Sequence, residues 1–256
     1  MTQVLVTGAT GRTGALVVKK LQNCEQPDGN RSLTVIGFAR NREKVQSMFG
    51  STEGFVYGDI TDPGSLAPAM DQCDALIIVT SAKPQISPPT SPDTPALCTF
   101  EPGGSPEEVD YQGQVNQINC AKEAGIQQII LVGSMGGTNE QHPLNRFGNI
   151  LIWKRKAEQY LIDSGLDYTI VRAGGLIDEA GGERELIVGK HDTLLTNPPK
   201  GIATTIPRSD VAEVVVQALF HPEARNKAFD LIAMPPGQAS YSQDFHALFS
   251  QTMPGL

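Results

Sequence analysis

The chain has 256 residues, 39% of them hydrophobic and 19% charged, and a formal net charge of −8. That length can bury a sizeable core without disulfide or metal staples, and the acidic balance argues against nucleic acid or an anionic membrane as main partner, because both reward basic surfaces. Cys24, Cys73, Cys98 and Cys120 show no C-x-x-C spacing and indicate neither a zinc knuckle nor a disulfide framework, no metal site is expected, and no apolar run reaches the roughly 18 residues of a membrane span.

Apolar runs alternate with helical periods along most of the chain, the pattern of a parallel sheet covered on both faces. Residues 4–6 read as the first strand. It starts so early that no secretory leader is expected, which points to the cytoplasm, or to the plastid stroma if a transit peptide has been removed. Residues 14–21 read as a helix with Leu16, Val17 and Leu21 at core spacing. Strands follow at 33–38 and 55–58, a short helix at 65–70 behind the Asp62-Pro63-Gly64 turn, and a fully apolar central strand at 75–79. The segment 83–106 holds seven prolines, so no regular structure is expected there. It leaves the carboxyl end of the fourth strand, where ligands of such sheets bind, and so reads as a flap over the site rather than a disordered surface insertion. A helix is expected over 106–124, with Glu107 and Glu108 suiting its dipole. Beyond it come a strand at 128–132, a helix at 149–164, a strand at 168–172, a helix at 210–219 capped by Ser209, and a last strand at 228–232.

The first strand runs directly into Thr7-Gly8-Ala9-Thr10-Gly11-Arg12-Thr13-Gly14. One glycine is needed where the strand turns, one where backbone approaches a pyrophosphate, and one where helix packs on strand. The helix that follows offers N–H groups and the positive end of its dipole to the phosphates. The motif predicts a dinucleotide-binding βαβ unit.

The G-x-x-G-x-x-G spacing resembles the nucleotide loop of extended and atypical short-chain dehydrogenases/reductases. Gly58-Asp59-Ile60-Thr61 resembles that family's adenine-binding turn, Val79-Thr80-Ser81-Ala82 the strand running under the cofactor, Val132-Gly133-Ser134 the strand end carrying its serine, and Arg172-Ala173-Gly174-Gly175-Leu176 its turn beside the nicotinamide. The stretches at 133–138 and 153–160 are similar to plant-type NAD(P)-binding members of the atypical branch. The resemblance implies one α/β domain over 1–256, a doubly wound parallel sheet (Rossmann fold) with a small C-terminal substrate lobe from 174–207 and 233–256. It also implies cofactor contacts from Thr7 to Gly14 and from Asp59, Ile60, Thr80, Ser81, Ala82, Ala173, Gly174 and Gly175.

NAD-specific sites place an acidic residue after the second strand. Here that strand ends in Phe38-Ala39-Arg40, with Arg42 next and Arg12 in the glycine loop. Guanidinium groups near the adenosine ribose suit a 2′-phosphate, so NADP is the expected cofactor. In the family's working enzymes a serine polarises the substrate carbonyl, a tyrosine carries the proton, and a lysine four residues later lowers the tyrosine pKa and binds ribose. Ser134 matches the serine and Lys156 the lysine, both with catalytic and cofactor-binding roles, but Ile152 stands where the tyrosine should be. Tyr160 lies a turn beyond Lys156 and Tyr111 in another helix. His142 is a substitute proton donor. Lys154 and Arg155 read as a solvated helix face, and Asn116 as facing the cofactor end of the sheet. These residues predict an NADP-dependent oxidoreductase for a small organic substrate; the missing tyrosine leaves as alternative a non-catalytic module that senses NADPH/NADP and regulates a protein partner.

Overall fold

The computed structural model describes residues 2–24, 33–88, 97–238 and 241–254. The first half runs β1 (Thr2–Thr7), α1 (Arg12–Gln22), β2 (Leu33–Ala39), α2 (Arg42–Phe49), β3 (Phe55–Tyr57), α3 (Pro63–Met70), β4 (Ala75–Ile78), β5 (Gln85–Ser87), β6 (Leu97–Thr99) and α4 (Gly113–Glu123). The second half runs β7 (Gln128–Ser134), α5 (Ile150–Asp163), β8 (Asp167–Ala173), β9 (Gly175–Ile177), β10 (Leu186–Gly189), α6 (Thr193–Thr196), β11 (Thr205–Pro207), α7 (Arg208–Phe220), β12 (Lys227–Ala233) and α8 (Phe245–Ser250). Among the described residues the main sheet has the order β10-β12-β8-β7-β4-β1-β2-β3. All of its pairings are parallel except that of β10 with β12. From β1 the chain winds outward through β2 and β3, then returns to add β4 on the other side. The two halves therefore diverge between β1 and β4, and a crevice opens at the carboxyl ends there.

Strand periodicity sorts the central side chains into two cores. Val4 and Val6 of β1 and Ile77 of β4 enter the layer covered by α1 and α7, with Val17, Leu21, Val211 and Val215. Leu5, Leu76 and Ile78 enter the opposite layer with Leu66, Met70, Ile118 and Leu161 from α3, α4 and α5. Each such aliphatic side chain, taken fully out of water, contributes about 1.5–3 kcal/mol. The doubly wound sheet expected from the alternating runs is the observed fold.

Three local expectations are corrected, and one helix, α2, was not expected. Helix α2 lacks an apolar stripe, burying only Val45, and is defined by its ends: Asn41 caps Lys44 N at 2.7 Å and Gly50 stops it at φ +75°. The proline-rich segment does contain regular structure, an antiparallel ribbon of β5 and β6. Pro84 and Pro88 flank β5 rather than interrupt it, while Pro89, Pro92 and Pro95 lie outside the described residues. The helix expected from 106 opens as a π-helical turn over Glu107–Gln112. Ser209 is not a cap: α7 starts at Arg208 directly from β11, and Ser209 Oγ has no hydrogen-bond partner among the described residues. Asp210 instead accepts from Gly182 N at 2.7 Å.

Among the described glycines, Gly14 is the most confined by backbone: a Cβ there would stand 2.1 Å from Gly8 O. A Cβ at Gly11 would meet only Gly8 O, at 3.1 Å. Gly14→Ala should therefore lower stability by about 1–3 kcal/mol, the usual range for overpacking, while Gly11→Ala leaves it nearly unchanged. Paired urea unfolding curves check this; equal stabilities for the two variants would show that α1 can move off the loop.

Candidate cofactor cleft and active site

A cleft of about 300 Å³ opens at the divergence of β1 and β4. Gly8, Thr10 and Gly11 line one side, Ala39-Arg40 and Asp59-Ile60 a second, and Val79-Thr80-Ser81 a third. Gly8 is left-handed (φ +72°), and a Cβ on it would meet Val79 O at 2.7 Å, so only glycine lets the loop lie this close to β4. No side chain caps the N-terminus of α1. Its first-turn N–H groups face the loop without internal partners, an arrangement that fits a pyrophosphate.

The rest of the motif supports this loop from behind. Thr7 is fully buried, and its hydroxyl donates to Gln117 Oε1 at 2.6 Å. Gln117 Nε2 donates to Gly113 O at 2.9 Å and reaches the Thr80 hydroxyl at 3.5 Å, tying β1 to the end of β4. Ala9 and Thr13 are buried. Arg12 does not turn toward the adenosine end; it pairs with Asp178, which also lies 3.5 Å from Arg208. Arg42 lies over the Tyr57 ring and donates to Thr52 Oγ1. Of the three arginines singled out by sequence, Arg40 lines the cleft, 3.8 Å from Asp59 and with its side chain 61% exposed. Asp59 Oδ1 accepts from Thr61 N and Oγ1, which fixes the turn. Asn116 Nδ2 donates to Ile60 O at 3.1 Å, so its amide holds the adenine-side turn.

At the other end, Ser134 closes β7 opposite Ala173 of β8. Its hydroxyl donates to Met135 O at 3.1 Å. Gly174 and Gly175 donate their N–H groups to Leu231 O and Thr204 O, which holds the turn beside Ser134. The lysine expected there is not the one that arrives. Lys156 is exposed and rests 4.2 Å from the Trp153 ring centroid. Lys154, about 200° away around the helix, is buried, and its Nζ lies 2.6 Å from Asp110 Oδ1. Asp110 Oδ2 in turn accepts from Ala82 N at 3.0 Å, so the ion pair is fastened to the end of β4. Lys154 lines one crevice with Ser134. The solvated-face reading of Lys154 and Arg155 is thus overturned, since α5 packs Leu151, Lys154, Glu158 and Leu161 inward. That 3-4-3 spacing was the overlooked signal in the sequence.

No phenol replaces the missing tyrosine. Tyr160 donates to Asn119 Oδ1 at 2.7 Å and Tyr111 packs on Trp153. Four residues before Lys154 stands Ile150, which like Ile152 carries no proton. His142 accepts from Leu144 N through Nδ1. In the neutral ring the proton then sits on Nε2, the atom that lies with Cδ2 just above Gly136, 3.1–3.2 Å from where a Cβ would stand.

A family model described as NAD(P)H-binding matches residues 8–222. The chain belongs to this atypical, short-chain-dehydrogenase-like NAD(P)-binding family. It is 52% identical over 253 residues to an uncharacterized chloroplastic protein of Arabidopsis thaliana, covering 97% of this chain and 74% of that one. It is 47% identical over 270 residues to sanguinarine reductase of Eschscholzia californica, covering 97% of this chain and 95% of that one. Among solved structures, a putative NAD-dependent epimerase/dehydratase from Bacillus halodurans superposes with a TM-score of 0.72 at 23% identity, over 98% of this chain and all of that one. In this oxidoreductase-type NAD(P)-binding protein, Lys154 lines one crevice with Ser134, and no tyrosine lines it. No described helix is long and apolar enough to cross a membrane.

Beneath the Ser134 end this family member carries a buried charge network that sequence reading missed. Arg172 Nε donates to Glu158 Oε2 at 2.9 Å, and Arg155 approaches the same oxygen at 3.3 Å. Asp192 accepts from Gly136 N, Thr138 N and Thr138 Oγ1 at 2.6–2.8 Å. Those bonds hold its carboxyl below the ordinary value despite burial. Asp192 N donates to Asp230 Oδ2 at 2.7 Å. Burial, and then the neighbouring Asp192 charge, push Asp230 up to about 6. A carboxyl raised in the folded state adds stability that is complete below its unfolded value, near 4, and lost as pH rises toward 6. Asp230→Asn keeps the acceptor without the charge. Its stability should equal wild type near pH 4 and exceed it by about 2–3 kcal/mol above pH 6, at 1.36 kcal/mol per pKa unit. Urea midpoints from pH 4 to 7 check this; a pH-independent gap would mean that Asp230 titrates normally.

Proposed function

We propose that the chain is an NADP-dependent oxidoreductase that reduces a small organic carbonyl substrate. One observation carries the cofactor choice: Arg40 faces the cleft at the end of β2, where an acidic residue would serve NAD. The reducing direction is supported by the high identity to a reductase over nearly the whole of both chains. The chloroplastic relative supports a plastid location over the cytoplasm. The substrate side is assigned to the segment 174–207, whose Gly174–Gly175 turn lies beside Ser134; α8 of the C-terminal segment instead packs on His221 and Phe229 near the start of β12.

When bound, the nicotinamide supplies hydride chemistry. The protein's part is to position and polarise. The Ser134 hydroxyl, held only by its neighbour's carbonyl, turns to donate to the substrate oxygen. Lys154, fixed by Asp110 and by β4, keeps a cation beside that hydroxyl and stabilises the negative charge that develops there. The proton comes from this lysine or reaches the site through His142, not from a phenol.

The isoleucine at both candidate tyrosine positions favours a second reading, a non-catalytic NADPH sensor. Kinetics separate the two. Wild type should turn over members of a panel of quinones and aldehydes with NADPH. Ser134→Ala should lower kcat by about 10²–10³ while leaving NADPH affinity intact, as loss of a polarising donor does. Arg40→Ala should weaken NADPH about ten- to a hundredfold and barely change NADH. Equal wild-type affinities for the two cofactors would refute the NADP assignment, and tight NADPH binding without turnover of any panel member would favour the sensor.

A further inference from the structure

The turn that leaves β10 is bent against local preference. His191 and Asp192 are both left-handed, at φ +57° and +60°, and are the only two consecutive non-glycine residues in that conformation among the described residues. Non-glycine residues adopt it uncommonly, and two in succession persist only where surrounding contacts hold them. The holding contact is Asp230, buried on β12 opposite Gly189, whose Oδ2 accepts from Asp192 N at 2.7 Å. Asp192 stands at the N-cap of α6, where an aspartate ordinarily accepts from its own helix, yet its side chain makes no such bond.

The carboxylate reaches instead across to the loop after β7. Asp192 is 3% exposed; its Oδ1 accepts from Gly136 N at 2.7 Å, and its Oδ2 accepts from Thr138 N at 2.8 Å and Thr138 Oγ1 at 2.6 Å. Gly136 N belongs to the same peptide as the Met135 carbonyl, and that carbonyl accepts from the Ser134 hydroxyl at 3.1 Å. A peptide unit is planar and rigid, so fixing its N–H fixes the direction of its C=O. The charge on Asp192 also polarises the peptide and strengthens the carbonyl as an acceptor. The stability of α6 does not explain a strained turn that forgoes its own cap. An oriented serine does.

We propose that Asp192 is a positioning residue for Ser134, acting through the Met135–Gly136 peptide, and that the strained turn serves to deliver it. This rests on the reductase reading above, in which the Ser134 hydroxyl polarises the substrate. Asp192 governs the seat of that hydroxyl from 58 positions away in sequence, without touching it. It also ties the segment 174–207 to the loop that carries the serine, so that the two sides of the reacting region keep one geometry.

Met135–Gly136 is the one Met-Gly step in the chain. Isotopic labelling of methionine carbonyl carbon and glycine nitrogen therefore isolates this peptide by NMR in the full chain, with neither cofactor nor substrate. Asp192→Ala removes the acceptor, and Asp192→Asn keeps the shape but offers a single acceptor oxygen to donors on two sides. Hydrogen-exchange protection of the Gly136 amide should fall about tenfold or more in Asp192→Ala and less in Asp192→Asn, and the carbonyl signal should move as it does in Ser134→Ala. With NADPH and a panel substrate, kcat should fall in the same order, about ten- to a hundredfold in Asp192→Ala, with NADPH affinity unchanged. Melting temperatures confirm that the variants are folded at the assay temperature; should Asp192→Ala not fold, Asp192→Asn decides. A peptide signal and exchange rate equal to wild type, or a moved signal with kcat unchanged, overturns the proposal. If wild type turns over no panel member, or Ser134→Ala leaves turnover unchanged, the reductase reading falls, while the peptide signal still decides whether Asp192 holds the serine.

Discussion

Three backbone segments meet around Gly8: the turn after β1, the first turn of α1 and the end of β4. A Cβ on Gly8 would strike Val79, and one on Gly14 would strike Gly8 itself. This contact allows β1 and β4 to part at their carboxyl ends while the sheet beneath stays fully packed. It places the uncapped end of α1 at the floor of the resulting cleft. The hydrogen bonds from Thr7 to Gln117 of α4 and onward to Thr80 lock the ends of β1 and β4 together from below. What the site holds and how closely depends on this approach, because backbone N–H groups act on a phosphate only where no side chain intervenes.

The two ends of the cleft follow different electrostatic rules. At the adenosine end the cation is exposed and only loosely paired, Arg40 lying 3.8 Å from Asp59, which suits a ligand that brings its own charge. At the Ser134 end the charges are buried and paired, Lys154 with Asp110 and Arg172 with Glu158. Breaking one partner of such a pair costs several kcal/mol, since the other is left uncompensated in a poorly solvated place. The paired arrangement fixes side chains under the reacting region, and the open arrangement lets the cofactor complete its own site. Burial raises the carboxyls of both Glu158 and Asp230, and Asp230, which has no ion pair among the described residues, is raised further by the neighbouring Asp192 charge.

Much of this was legible in the sequence, and the parts that were not share a cause. The fold, the glycine loop, the position of Ser134 and the basic residue ending β2 all follow from patterns confined to a few neighbouring residues. Helix α2 was missed because its signals lie at its caps rather than in an apolar stripe. The lysine of α5 was misplaced by counting from a family motif whose tyrosine is absent. Helical period alone puts Lys154 on the Leu151–Leu161 face and Lys156 on the other.

The sequence by itself determined the order of the parallel strands and of most helices between them, the dinucleotide loop and the absence of a tyrosine four residues before the α5 lysines, because periodicity and local backbone requirements are written residue by residue. Only the tertiary structure decided which charges meet. Asp110 with Lys154 and Asp192 with Asp230 are each separated by 38 or more residues. A charge pair across such a distance leaves no periodic trace in the chain; it exists only after the parallel crossovers have brought the strand ends side by side.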